Sequence, residues 1–478
     1  MPVRRAPMIK FGTDGWRAGI ADQYTFANVR TIAQAVADFL HLHGQAEQGM
    51  IVGYDTRFRS DEFAQAAAEV LAGNGIRALL CDAPTPTPVS SYAIVHHHAA
   101  GGINITASHN PYTDNGFKLR SEYGGAAAPE VLQEVEALIT RVQEPRRLPL
   151  NEALQAGLVE RVDPAPPYIQ HLAELVDLQR LRNAGLHVAL DPMWGVGVGW
   201  IQRLIGGGST YFTTIHEGVN PRFPDMERPE PIEPNIRSLQ ETVRRVHADV
   251  GIANDGDADR VGVVDENGRF VNQLEVYGLL ALYLLEVRGW RGPLVKTVTT
   301  TMMARKLAER YGVPVYETGV GFKYVAPKMI EVDAIMGGEE SGGFAFRGHL
   351  PERDGLLAGL FVLDLMVQKG LSPSKLLDYL FGLVGAHYYD RIDTHLDPEQ
   401  KPAIIERVKA ARPETIAGLR VTAIDNSDGF RYTLGDQGWM LIRFSGTEAV
   451  MRVYTETTEG DRVQDILAAG LALTGAKT

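Results

Sequence analysis

The chain has one cysteine, Cys81, among 478 residues. An intrachain disulfide is therefore excluded, and the composition suits a reducing compartment. Long hydrophobic runs are missing too. No stretch reaches the ~18 uninterrupted apolar residues that a membrane span needs. The richest run, Leu356 to Leu363, has the length of a buried helix. The opening MPVRRAPMIKFGTDG carries positive charge without the apolar centre of a secretory signal, so the expectation is a cytoplasmic protein with no membrane partner. Positive charge is in deficit overall. The 47 Lys and Arg stand against 59 Asp and Glu, a net charge of −12, which argues against a nucleic-acid partner. An anionic ligand would have to be attracted locally, by lysines and arginines gathered in one cleft.

What the chain does have is length and apolar content. With 45% apolar and 22% charged residues it can bury several cores and must be multidomain. Strand-like and helix-like segments alternate along it. Ile51 to Tyr54 reads as a strand, and after Ser60 the positions Phe63, Ala67, Val70 and Leu71 have helical spacing. Ile103 to Ile105 is a further strand. A proline-rich passage from Pro145 to Pro167 marks a boundary, and a second strand and helix group starts at Leu186 to Leu190. A third group runs from about Val271 to Lys369, with a helix at Leu274 to Val287, a strand at Leu294 to Val298 and a long apolar helix after Asp354. Ser372 and Pro373 read as the N-cap and first position of another helix. Near the end, Arg420 to Ala423, Phe430 to Leu434 and Met440 to Phe444 are strand candidates, and a helix follows Asp461, an α+β pattern.

Chemistry concentrates in two loops. Residues 101–119 read GGINITASHNPYTDNGFKL, which puts Ser108 and His109 just past the Ile103 to Ile105 strand, with Lys118 beyond. Open α/β sheets place ligands at such carboxyl ends. A serine oxygen exchanges a phosphoryl group only where its surroundings manage charge, and this one has a histidine and a lysine to do so. A plain polar turn of Ser, Asn and Pro is the alternative. Far away, Asp255, Asp257 and Asp259 alternate in DGDADR, after the apolar Val250 to Ala253. Three hard oxygen ligands suit Mg²⁺. An EF-hand would put Glu266 at its twelfth position, but Arg260 holds the sixth, where glycine is needed, and Val261 to Val264 reads as a strand. Gly195, Gly197 and Gly199, with Glu217 beyond, suggest a dinucleotide loop. The spacing is GxGxG rather than GxGxxG, however, and Asp191 to Trp194 intervene where the tight turn should begin. His96, His97 and His98 are adjacent, point in different directions on a helix and read as its polar end.

Taken in order, five segments resemble the α-D-phosphohexomutase superfamily of phosphoglucomutases and phosphomannomutases. They are Phe11 to Arg17 (FGTDGWR, with Ala18 separating the arginine from Gly19), the Ser108 loop, the Asp255 loop, Gly338 to Gly342 (GEESG), and Arg443 to Glu448 (RFSGTE) with Arg452. The resemblance implies three α/β domains with mixed sheets and a smaller C-terminal α+β domain around a central cleft, here residues 1–155, 165–268, 269–380 and 385–478. It implies a catalytic group of Ser108, His109, Lys118, Lys323 and Arg17, and a Mg²⁺ ion held by Ser108, Asp255, Asp257 and Asp259. Substrate contacts are implied for Gly338, Glu339, Ser341, Arg443, Ser445, Gly446, Thr447 and Arg452.

The implied reaction interconverts hexose 1-phosphate and hexose 6-phosphate through a phosphoserine and a 1,6-bisphosphate, with glucose 1,6-bisphosphate as activator. Lys118, His109 and Lys323 all remain candidates for the base; a desolvated lysine among cations would have its pKa lowered. The TGVGFK segment ending at Lys323 looks closer to the glucomutases. SGT at 445–447 is glucomutase-like or glucosamine-mutase-like rather than the SNT of many phosphomannomutases, and Gly343 stands where some branches carry histidine. The expectation is a phosphosugar partner with glucose preferred and mannose accepted. A phosphoglucosamine mutase is the main alternative, a phosphoserine-dependent sugar phosphatase a further one. A monomer or homodimer is expected.

Overall fold

The computed structural model describes residues 9–12, 14–397, 399–445 and 450–475. Three of its sheets share one plan. In the first, strands Trp16–Gly19, Asp114–Arg120, Gly101–Ile105, Met50–Tyr54, Ala78–Cys81 and Val159–Val162 lie side by side in that order. The last four are parallel, and the two pairings at the other edge are antiparallel. The second sheet orders Phe270–Val271, Val261–Val264, Val250–Asn254, His187–Asp191 and Tyr211–Thr214, the last three parallel and the rest antiparallel. The third has Val315–Thr318, Leu294–Thr297 and Met336–Gly338 parallel, with Phe344–Phe346 antiparallel at its edge. Every residue of Met50–Tyr54, Gly101–Ile105 and Val250–Asn254 is buried, as in strands covered on both faces.

This plan positions the loops. In each sheet a buried parallel strand turns back into an antiparallel neighbour: Gly101–Ile105 into Asp114–Arg120, Val250–Asn254 into Val261–Val264, and Met336–Gly338 into Phe344–Phe346. The connections at those carboxyl ends, residues 106–113, 255–260 and 339–343, carry the serine, the aspartates and the GEESG segment. The period of two along Asp114–Arg120 puts Lys118 and Arg120 on one face.

The fourth sheet is wholly antiparallel, in the order Tyr388–His395, Val450–Thr457, Gly438–Phe444, Phe430–Thr433 and Ala423–Asp425. It has its own apolar core with helices Lys401–Ala410 and Val463–Thr474. A larger core runs through the second and third sheets and includes the helix Gly355–Lys369, of which residues 355–366 are all buried. Asp354 fixes the start of that helix, its carboxylate accepting from Leu357 N at 2.9 Å.

Some expectations shift by a few residues. Val159–Val162 pairs with Ala78–Cys81, so the first α/β unit runs past residue 155, and Phe270–Val271 carries the second sheet past 268. Arg420 to Ala423 is not one strand: Leu419–Arg420 forms a small ribbon with Thr415–Ile416, while Ala423–Asp425 edges the main sheet. The helix Pro373–Val384 starts where expected, but Ser372 does not cap it with its own hydroxyl. Ser372 Oγ instead donates to Glu266 at 2.6 Å, and Glu266 accepts from Ser374 N at 3.2 Å, capping the helix from outside. Among the described residues no single helix is long and apolar enough to cross a membrane.

Candidate active site

Ser108 stands in the left-handed backbone region, φ 51°, with its side chain fully buried. A non-glycine residue in that region is strained by roughly 1–3 kcal/mol and must be held there. Arg57 does the holding. Its guanidinium, equally buried, donates to the carbonyls of Ser108 (2.6 Å), Asn110 (2.6 Å), Pro111 (2.8 Å) and Asp114 (3.0 Å), and Asp55 lies 3.2 Å from its Nε. Thr106 Oγ1 accepts from Ser108 N at 2.8 Å. So fixed, Ser108 Oγ donates to Asp255 Oδ2 at 2.8 Å, and His109 Nδ1 lies 3.4 Å away. The aspartate loop can come this close because residue 256 is glycine: a Cβ there would stand 2.5 Å from the Ser108 carbonyl oxygen.

Asp255, Asp257 and Asp259 are all buried, and one oxygen from each lies within 4.8 Å of the others. Asp257 Oδ1 and Asp259 Oδ1 are buried without a hydrogen-bond partner. Buried acceptors are rarely left so, and an all-oxygen set of carboxylates with a serine hydroxyl beside it fits a hard divalent cation such as Mg²⁺. Burial, together with the Asp257 and Asp259 charges, pushes the Asp255 carboxyl well above the usual range. Burial also opposes ionisation of Asp257, but Lys118 outweighs it and holds that carboxyl low. The Thr87 hydroxyl donates to Asp257 Oδ2 at 2.7 Å, tying the loop to the first unit.

Lys118 is fully buried, and its ammonium meets Asp14 Oδ2 at 2.7 Å, Asp257 Oδ2 at 2.7 Å and Asp259 Oδ2 at 3.2 Å. The expected surroundings of cations are thus replaced by carboxylates. Burial lowers the Lys118 pKa, but Asp14, Asp257 and Asp259 more than offset it and the net shift is upward. His109 differs: burial, then Arg260, Arg17, Arg228 and Lys118, push it well below the usual histidine range. Arg17, on the first strand, donates to Asn110 Oδ1 at 2.8 Å. Asp14 collects cations, with Arg353 at 2.7 Å, Arg120 at 3.4 Å and Arg17 at 3.7 Å besides Lys118.

Asp14, Arg17, His109, Arg260 and Arg353 reach the wall of a cleft of about 980 Å³ drawn from all four units, with Ser108, Lys118 and the aspartates buried directly behind them. Glu339 and Ser341 line the cleft, and burial raises the Glu339 carboxyl against the pull of Arg353 and Arg260. Gly338 does not line it; a Cβ there would meet the Phe344 and Tyr277 rings at 2.7 and 2.8 Å, behind the wall. Arg443 and Arg452, on the fourth sheet, and Ser445, just past its strand, line the cleft as well. Gly446 and Thr447 lie outside the described residues. Lys323 opens the helix Phe322–Glu331 on the cleft wall, its ammonium 5.2 Å from the Tyr324 ring, and among the described residues no hydrogen bond or ion pair joins it to Ser108 or the aspartates.

Sequence reasoning passed over Arg57, Arg228 and Arg353, and gave Asp14 and Arg260, from segments it had quoted, no part in the site. Arg353 joins Asp14 (2.7 Å), Asp259 (3.1 Å) and Glu352 (3.0 Å), so one guanidinium links three units. Two signals were present: Arg57 stands three residues past the strand ending at Tyr54, and Arg353 sits in a charged triplet before the most apolar helix. The rejected motifs have structural places. Gly195 to Gly199 packs on the aspartate loop, with Val196 N donating to Gly256 O at 3.2 Å. The aspartate loop joins two strands, not the two helices of an EF-hand. His96 ends the helix Thr87–His96, and His97 is its C-cap.

The phosphoglucomutase/phosphomannomutase domain families match in chain order: α/β/α domain I at residues 8–146, domain II at 166–268, domain III at 273–383 and the C-terminal domain at 396–472. A phosphoglucomutase/phosphomannomutase of Thermococcus kodakarensis is 31% identical, covering 97% of this chain and 98% of its own. A phosphoglucosamine mutase of Bdellovibrio bacteriovorus is also 31% identical, covering 94% of each. A solved structure from Thermus thermophilus, named as a phosphomannomutase, superposes with a TM-score of 0.87 at 33% identity, covering 99% of this chain and 100% of that one. Four domain matches in order, on a fold that turns four loops into one cleft, leave a single reading: the chain belongs to the phosphoglucomutase/phosphomannomutase family and is a mutase of the isomerase class.

Proposed function

We propose that this enzyme interconverts hexose 1-phosphates and hexose 6-phosphates, with glucose preferred and mannose accepted, through a phosphoryl group carried on Ser108. One observation carries the reading: Ser108 Oγ is buried, aimed by Arg57 and Thr106, 2.8 Å from Asp255 and 3.4 Å from His109, which itself lines an arginine-rich cleft. Phosphoserine 108 passes its phosphoryl to the free hydroxyl of a hexose monophosphate; the P–O bond to Ser108 breaks, a P–O bond to the sugar forms, and a 1,6-bisphosphate results. Turned end for end, the bisphosphate returns its other phosphate to Ser108. Glucose 1,6-bisphosphate would therefore prime the enzyme. Mg²⁺ held by Asp255, Asp257, Asp259 and a Ser108 phosphoryl oxygen would supply Lewis-acid charge neutralisation.

The hydroxyl proton needs an acceptor. That proton must finally reach the departing Ser108 oxygen, and neutral His109, 3.4 Å from it, is placed to deliver it there, whereas the carboxylate partners of Lys118 keep that lysine protonated. Lys118 and Arg17 then serve as fixed positive charges around the transferring group. Glu339 and Ser341 are placed to hold sugar hydroxyls, and Arg443, Ser445 and Arg452 the phosphate that is not reacting.

The sugar preference rests on chemistry at C2. Glucose and mannose differ only there, and one imperfect hydrogen bond of ~1 kcal/mol gives less than tenfold discrimination. A glucosamine ammonium would enter a cleft that already holds Arg17, Arg260, Arg353 and Lys323. The phosphoglucosamine mutase reading is supported by relatives of that name at equal identity. Parallel assays of glucose, mannose and glucosamine 1-phosphate with Mg²⁺ and glucose 1,6-bisphosphate decide between them. The expected order of kcat/KM is glucose, mannose, glucosamine; a clear preference for glucosamine 1-phosphate replaces this reading with the second.

A further inference from the structure

We propose that Asp428, on the loop between strands Ala423–Asp425 and Phe430–Thr433, is a positioning residue that aims Arg443 at the non-reacting phosphate. The inference rests on the phosphate role proposed above for Arg443. Its two carboxylate oxygens are divided between two units. Oδ1 accepts from Arg443 Nε at 3.0 Å, and Oδ2 accepts from the backbone N of Val320 at 2.6 Å. Val320 belongs to the segment that carries Lys323 on the third unit. One side chain therefore joins two walls of the cleft, and Asp428, Val320 and Arg443 all line it.

The backbone is shaped for this contact from both sides. Gly429 has φ 94°, and a Cβ there would lie 2.8 Å from Ile442 O and 3.4 Å from Arg443 Cα, so the Asp428 loop presses directly onto the arginine's own strand. Gly319 faces the carboxylate across the gap, where a Cβ would stand 3.3 Å from Asp428 Oδ2. A side chain at Gly429 would collide with the Ile442 carbonyl and strain the backbone, while one at Gly319 would crowd the carboxylate only slightly. The burial is partial, 24% of the Asp428 side chain and 17% of the Arg443 side chain remaining accessible, so the contact is not part of a core and its loss leaves the apolar packing of the fourth sheet intact.

An anion placed inside an anion-binding cleft is otherwise costly, since like charges repel where water is scarce. Two roles are open to such a carboxylate, and they have opposite signs. A competitor would occupy the arginine until phosphate displaced it, and its removal would tighten phosphate binding. A positioner anchors the arginine through Nε, which leaves the planar guanidinium in one orientation, and its removal weakens binding. The geometry points to the second. Phosphate is held bidentately by the fork of an arginine, and Asp428 takes only the single Nε, at 3.0 Å, while its other oxygen is committed to a backbone N–H that phosphate does not replace.

The test compares Asp428→Ala, Asp428→Asn and Gly429→Ala with wild type in steady-state turnover of glucose 1-phosphate, with calorimetric titration of glucose 1,6-bisphosphate into Ser108→Ala and Ser108→Ala/Asp428→Ala. Asp428→Ala should raise KM about tenfold with kcat within about threefold, and weaken bisphosphate binding by the same factor. Asp428→Asn, whose amide oxygen can still accept one of the two bonds, should recover part of that loss, and Gly429→Ala should reproduce part of it. In an Arg443→Ala background the further Asp428→Ala change should add less than about twofold, because a residue acting through Arg443 has nothing left to aim. A lower KM in Asp428→Ala, full additivity with Arg443→Ala, or unchanged binding in the titration would each overturn the proposal. Failure of the catalytic reading looks different: wild type would then turn over none of the hexose phosphates, while the titration would still report on Asp428.

Discussion

At the scale of single residues, the site depends on side chains whose roles are set by contacts remote in sequence. Ser108, His109 and the three aspartates announce themselves by type and spacing, because few functions need an aspartate at every second position or a serine and histidine at a strand's carboxyl end. Arg57 does not. An arginine after a short strand is ordinarily a solvated charge, and only the fold reveals that it gathers four carbonyls between residues 108 and 114. Its function leads to a specific expectation. Arg57→Lys keeps a positive charge near Asp55 but cannot span four carbonyls, so the Ser108 loop should lose its aim. A misplacement near 1 Å costs about 10²-fold, so kcat should fall by roughly that factor with little change in KM for the hexose phosphate. Full turnover in this variant would reduce Arg57 to a packing residue. Asp14, Arg120 and Arg353 were hidden for the same reason: beyond a neighbouring charge or two, their partners lie 94 to 339 positions away.

Among the elements, legibility followed how far each segment's local pattern agreed with its place in the fold. Met50–Tyr54 and Gly101–Ile105 were readable because fully buried parallel strands are continuous apolar runs. Asp114–Arg120, which carries Lys118, was not, since DNGFKLR buries two cations that only distant carboxylates can neutralise. Glu266 is a second case. Its place at position twelve of the aspartate run recommended it as a metal ligand, but it caps the helix Pro373–Val384 from outside. Glu266→Ala should therefore lower stability by about 1–2 kcal/mol, seen in thermal unfolding, and leave Mg²⁺-dependent turnover unchanged. A loss of metal dependence would contradict that assignment.

The buried Lys296, on Leu294–Thr297, gives a pH prediction. It meets Glu317 at 2.6 Å, and Arg431 of the fourth unit shares that glutamate. Burial lowers the Lys296 pKa to about 8, the Glu317 charge only partly opposing it. Glu317 itself is held low despite its burial, because Lys296 and Arg431 both face it. The unfolded lysine keeps its proton to about 10.5, so between pH 8 and 10.5 the unfolded state binds more protons and this group's contribution to stability rises with pH, by at most about 3 kcal/mol. The difference in melting temperature between wild type and Lys296→Met should accordingly shift in favour of wild type as pH rises through that window. A difference that stays flat from pH 7 to 10 would contradict the lowered pKa.

For the molecule as a whole, three sheets with one hairpin plan and a fourth of different construction bring their loops to a common cleft. The sequence showed that plan as four groups of segments, but it could not show where the sheets end. The strands at Val159–Val162 and Phe270–Val271 are too short and mixed to betray which sheet they join. Nor did a net charge of −12 reveal how the cations are spent, since the buried arginines are largely matched by buried carboxylates before any substrate arrives. The central claim is that Ser108 carries the phosphoryl group between two ends of one sugar. The most direct measurement is a single turnover of enzyme labelled on phosphorus, mixed with unlabelled glucose 1-phosphate and Mg²⁺ and quenched over time. The account predicts that wild type takes up label at Ser108, that Ser108→Ala takes up none while remaining folded, and that the label leaves wild type first as glucose 1,6-bisphosphate. Label released as inorganic phosphate without a bisphosphate, or retained by Ser108→Ala, would contradict it.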